Sequence, residues 1–152
     1  MRFLLFSPRY LAPEGHIDVS VAQVKVIFDL PPALGTYSEP LAYIEHFTPF
    51  HQIDPHSLMY RVRRSKKDGY PNAEVIPISR IIRSCHLIPD FGHRAPREWE
   101  SHTSLQLAPS FLVNPYLSFR DFLLFRYLLP LHIRRRLDSQ SNFRPTKRRR
   151  LL

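Results

Sequence analysis

In the first part of this chain apolar and polar residues alternate in short stretches, the two-residue period of half-buried strands. Residues 21–30, VAQVKVIFDL, set Val24, Val26 and Phe28 against Gln23, Lys25 and Ile27. Residues 41–50, LAYIEHFTPF, make a second strand, with Leu41, Tyr43, Glu45 and Phe47 on one face and Ala42, Ile44 and His46 on the other. Residues 59–64, MYRVRR, make a third, with Tyr60 and Val62 inward and Arg61, Arg63 and Arg64 mostly outward. Asp68-Gly69, inside 66–72, marks a hairpin turn after it.

The densest apolar run is 74–92, EVIPISRIIRSCHLIPDFG. Pro77, Arg80, Arg83, Ser84 and His86 interrupt it, which excludes one long buried helix. Two strands, 74–76 and 84–88, fit it, joined by a single turn at 79–82 that Ser79 is placed to cap. Strand, one-turn helix and strand is how many small barrels close. The fold class predicted is α+β: a small five-stranded antiparallel, Src-homology-3-like β-barrel over 21–92. Its expected core is Val24, Val26, Phe28, Tyr43, Phe47, Val62, Ile76, Ile82, Leu87 and Phe91.

Around the barrel, residues 1–20 read as an irregular lead-in and 93–117 as an irregular segment. The latter has an edge strand at 111–116, and Trp99 folds back on the barrel. Ser118 starts a helix over 118–130, with Ser118 and Asp121 at capping-box spacing and Asp in place of Glu. Residues 131–152 have no apolar periodicity and are predicted to be disordered.

Composition sharpens this picture in three ways. Eleven Phe and seven Tyr within 43% hydrophobic residues are enough for one core. Fifteen Pro against four Gly exclude long helices before Ser118. A single cysteine, Cys85, excludes an internal disulfide and points to a reducing compartment. The net charge of +9 is uneven: from His132 onward there are eight Lys/Arg and one acid, which leaves the rest of the chain at only +2. The apolar runs at 3–6 and 122–133 are too short for a signal or a membrane span, and Arg126 and Pro130 interrupt the second.

Catalytic chemistry finds no foothold. No acids are spaced as a dyad or metal triad, and His46, His51, His56, His93 and His102 match no zinc template. Cys85 and His86 are adjacent on a strand, so they point to opposite faces and cannot pair as nucleophile and base. The expectation is a protein without catalytic residues, metal or cofactor. Basic residues carry the stronger signal. Arg61, Arg63, Arg64, Lys66 and Lys67 surround the hairpin with Tyr60 and Tyr70 nearby, and Arg80 and Arg83 lie on the next strand pair. They fit contacts to a phosphate backbone, or equally a solvated edge strand guarded against pairing. In the tail, Arg134, Arg135 and Arg136 precede Lys147, Arg148, Arg149 and Arg150 by ten residues, the spacing of a bipartite nuclear import signal.

Five stretches occur in a telling order: VKVIFDLP (24–31), LAYIEHFTPF (41–50), AEVIPISRIIRSCHLIPDFG (73–92), REWES (97–101) and FLVNPYLSFRDFLLFR (111–126). Together they resemble the C-terminal segment of the Plavaka-type transposase-like proteins of basidiomycete fungi, related to the CACTA class of DNA transposons. IRSCHLIPDFG is the most specific piece, and the resemblance covers about 24–127. It implies that the RNase-H-like catalytic core lies far upstream of such a segment, so no catalytic residue carries over. Because the chain starts almost where the match does, a detached fragment is expected. The leading expectation is therefore a non-catalytic accessory domain, nuclear, with weak, non-specific nucleic-acid binding and no membrane association. The alternatives are a protein-interaction module, whose 119–129 helix docks on a nuclear partner, and a non-functional transposon relic.

Overall fold

The structure, a computed structural model, describes residues 2–7, 19–92, 94–100 and 102–129. The basic tail and its import clusters, Arg134–Arg136 and Lys147–Arg150, lie outside the described residues. Two units divide the chain, Met1–Asn114 and Pro115–Leu152. The first is built on antiparallel sheet with little helix. Strands β1 (Arg2–Phe6), β2 (Ser20–Phe28), β3 (Leu41–His46), β8 (Ala73–Pro77) and β9 (Ile81–Cys85) form a five-stranded sheet in the order β8-β3-β2-β1-β9. A second sheet joins β10 (Leu87–Pro89), β11 (Phe111–Val113), β5 (Tyr60–Val62) and β4 (Gln52–Ile53) in that order. The hairpin β6 (Lys66–Lys67) and β7 (Tyr70–Pro71) is a separate ribbon.

The sheet is open, not the closed barrel expected. Its edge strands β8 and β9 follow each other in sequence, linked by a 3-10 turn at Ile78–Arg80. The backbone groups of that turn are used elsewhere. Ile78 donates its N–H to Pro40 O at 3.1 Å, and Arg80 O accepts from Ser7 N at 3.1 Å. Pro77 has no N–H to give. Ser79 does not cap the turn; its N–H and hydroxyl both donate to the Glu39 carboxylate, at 3.1 and 3.0 Å. The 59–64 strand also pairs outside this sheet, on β4 and β11.

Its place is taken by β1, which corrects the irregular lead-in. Phe3, Leu4, Leu5 and Phe6 are all buried, because the strand runs between β2 and β9 with both faces covered. Each such side chain stabilises the fold by about 1.5–3 kcal/mol. Leu4 and Phe6 join Ala22, Ala42, Ile44 and Ile76 in a core on the inner face, with Val24 and Ile81 packed against it. On the outer face Phe3, Phe47 and Phe111 meet at centroid distances of 5.6–6.2 Å and tie the two sheets together.

The expected core is right at Phe47, Val62, Ile76 and Leu87, all buried, and wrong at Val26, Tyr43, Ile82 and Phe91, all exposed. Two bulges account for much of this. Val24 opposes Ile44 but Val26 opposes Tyr43, so Lys25 is an extra residue and Val26 turns to the outer face. On β9, Leu5 opposes Arg83 and Phe6 opposes Ile81, which leaves Ile82 extra, 49% exposed, with Ile81 inside. The strand expected at 111–116 is the shorter β11, which lies between β10 and β5 and is not an edge.

In the second unit α2 (Phe119–Leu128) begins where the sequence placed it. Ser118 Oγ accepts the Asp121 N–H at 3.1 Å and donates to Asp121 Oδ2 at 2.8 Å. Asp121, Phe125 and Leu129 are buried, one helical turn apart.

Candidate nucleic-acid interface

Alternation along β5 decides the fate of the basic cluster. Tyr60, Val62 and Arg64 share one parity, so the chain carries Arg64 inward with the two apolar residues. Its guanidinium donates to the carbonyls of Leu105 and Ala108 and lies 5.0 Å from the Phe111 ring centroid. Those carbonyls sit within and just after the single-turn helix α1 (Ser104–Leu107), where a helix end lacks intrahelical partners. Burial pushes the Arg64 pKa down, and Glu45 opposes this. Arg61 is also engaged: Nη2 lies 3.0 Å from Asp54 Oδ1 and Nε 2.8 Å from Asp90 Oδ2. Hydrogen bonds from the Ser57 backbone N–H and hydroxyl, with Arg61, hold the Asp54 carboxyl below its ordinary value, against the effect of burial.

Arg80, in the 3-10 turn, donates Nε to Ser7 O at 3.0 Å and Nη1 to Glu74 at 2.9 Å, with Phe6 beneath it at 5.8 Å. Arg83, on β9, is half-buried and engaged within the fold. The seven basic residues expected to act together are thus separated. Arg61, Arg64 and Arg80 are tied to carbonyls, carboxylates and rings of the fold.

Arg63, Lys66 and Lys67 differ. All three are exposed, and no carboxylate among the described residues forms an ion pair with them. Lys66 and Lys67 form β6, opposite Pro71 and Tyr70 of β7. Asp68 (φ 53°) and Gly69 (φ 84°) both take left-handed backbone, the requirement of a tight type I′ turn. The ribbon is fixed to β3 at its base: Ser65 N donates to His46 O at 2.8 Å and His46 N to Asn72 O at 2.8 Å. Asn72 N closes the base on Ser65 O at 2.9 Å. Tyr70, 76% exposed, offers a ring face beside the lysines.

A second feature has no counterpart in the sequence-based expectations. Next to β1, β2, β9, β10 and α1 lies an open cavity of about 630 Å³. Leu4, Val24, Ile27, Ile81, Leu87 and Phe91 line it, and its described lining includes no Asp, Glu, Lys or Arg. Cys85 and His86 both reach it. The sequence signal was the apolar density of 74–92, which exceeds what one face of two strands can bury. Among the described residues no three His, Cys, Asp or Glu are grouped to hold a metal, and no helix is long and apolar enough to cross a membrane. No family model, curated protein or solved structure matches this chain.

Proposed function

We propose that this chain is a non-catalytic binding domain of transposon origin that contacts nucleic-acid phosphates in the nucleus through the β6–β7 hairpin. The observation that carries this reading is the pair Lys66 and Lys67, exposed on a ribbon anchored at its base, with Arg63 exposed just before the ribbon begins. Cations with no carboxylate to neutralise them gain most from a phosphate and its released counterions. Tyr70 supplies a stacking surface that tolerates any base, so sequence preference is slight. The basic clusters beyond Arg134 add import and further non-specific attraction. The run of edge strand, three-residue turn and edge strand supports reading the sheet as an open form of a Src-homology-3-like barrel.

The test compares the full chain with its Arg63→Gln, Lys66→Gln, Lys67→Gln triple variant on a short fluorescein-labelled DNA duplex over a salt series. The tail is common to both, so its contribution cancels. The slope of log affinity on log salt should fall by about 0.9 per lost contact, hence by nearly three. The melting temperature should not move. Coincident slopes would reduce the hairpin to a guarded edge and favour the protein-interaction reading. That second reading rests on Val26, Tyr43 and Val75, exposed and aligned in register across β2, β3 and β8.

A further inference from the structure

We infer that the cavity beside β9 and β10 is a binding site for a small, uncharged, largely apolar molecule with a hydrogen-bond acceptor at one end. None of its described lining residues belongs to the hairpin. At about 630 Å³ the cavity lies within the range of ligand pockets, about 300–1,000 Å³. Its described lining is mostly aliphatic and aromatic and holds no Asp, Glu, Lys or Arg, so a buried ligand charge would lose its hydration and find no such side chain to pair with. This selects a neutral molecule over a carboxylate or phosphate of the same length. Polar side chains are few in its described lining, Ser84, Cys85, His86 and Ser104, of which Ser84 and His86 are exposed. Asn114 Nδ2 lies 3.3 Å from His86 Nδ1. When that amide donates, Nδ1 is the acceptor of the neutral ring and Nε2 carries the proton. His86 is then a donor, matched by a hydroxyl or carbonyl oxygen on the ligand. A long-chain alcohol or ketone has this chemistry.

Cys85 makes the proposal measurable, since it is the chain's one cysteine and lines the cavity. The full chain is titrated with N-phenylnaphthylamine, a neutral dye that brightens in apolar surroundings. Decanol and decanoate then compete, and the rate at which dithiodipyridine reacts with Cys85 is followed. Decanol should displace the dye and slow the thiol reaction, while decanoate, of equal chain length, should be about tenfold weaker or worse. Ile27→Asp introduces a charge at a half-exposed lining position that can tolerate it. It should weaken the dye by about tenfold or more with an unchanged melting curve. An Ile27→Val variant, still apolar, should bind as the parent does, which guards against a folding effect. No dye binding, dye binding without protection of Cys85, or equal displacement by decanoate would each overturn the proposal.

Discussion

Arg64 and Lys66 stand two residues apart, yet one helps build the junction of the sheets and the other stands in solvent. At the junction Arg64 joins the α1 carbonyls to Phe111, and Arg61 joins the Asp54 turn to Asp90 at the end of β10. Across Ser65 the chain enters a ribbon whose first arm carries Lys66 and Lys67, exposed and without an ion pair among the described residues. The residue types are the same and their surroundings are not. A cation already surrounded by carbonyls, carboxylates and rings gains little by taking a phosphate, and its loss is felt as stability. One in open solvent contributes little to folding and can give its full charge to a ligand.

The largest expected effect is therefore at Arg64. Arg64→Ala leaves the Leu105 and Ala108 carbonyls without that donor and removes the cation from the Phe111 face. With charged hydrogen bonds at about 1.5–3 kcal/mol and a cation–π contact at about 0.5–2, a loss of about 2–4 kcal/mol in denaturant unfolding is expected. A shift like that of a surface lysine variant would erase the contrast between the two regions.

How much of this was legible beforehand follows from the physics of the period. Strands β2, β3 and β5, the hairpin and the Ser118-capped helix were all marked by alternation, by Asp-Gly or by a capping residue, signals that act over a few residues. Lys25 and Ile82 were not, because a bulge without glycine leaves no mark, and the one at Lys25 sends Val26 to the face opposite the one expected. RFLLF at β1 does not alternate because both its faces are covered, and a run of that kind reads as a strand only when its partners are known. Arg64 was legible: it shares the parity of Tyr60 and Val62, but its charge argued for solvent and the buried carbonyls that receive it lie more than forty residues away. The hairpin turn was legible in the sequence, but which of the seven cations stay exposed, like the cavity, needed the sheets to be placed.

A smaller effect sharpens the contrast on the acid side. Asp54 has its carboxyl pKa lowered in the folded chain, first by the Ser57 backbone N–H, then by the Ser57 hydroxyl and Arg61. A lowered folded value means that the stabilisation is fully present above the ordinary value of 3.8 and is lost as pH falls through the folded one. The parent should thus be more stable than Asp54→Asn at neutral pH, and the gap should close on acidification below that value. Urea unfolding of both proteins over a pH series checks the sign. A gap that did not change with pH would mean that the Arg61 clamp does not depend on the Asp54 charge, and one that widened in acid would mean that folding raises the Asp54 pKa.

The smallest effect belongs to the turn of the hairpin, where Gly69 sits at φ 84°. A Cβ added there would meet nothing within 4 Å, so the cost of Gly69→Ala is that of left-handed backbone alone, about 1 kcal/mol. Gly69→Asn should recover part of it, since asparagine visits that region more readily. Because the ribbon is a separate two-stranded sheet, the penalty should be confined to it. Amide exchange at Lys66, Lys67 and Tyr70 should quicken, with little change at Ile44 or Val62 in the sheets. Affinity for the DNA duplex should drop with the fraying, because ordering the ribbon then has to accompany each contact. Were Gly69→Ala to lower the global unfolding free energy as far as Arg64→Ala does, hairpin and junction would be one cooperative unit. The separation of folding cations from binding cations would then fail at its root.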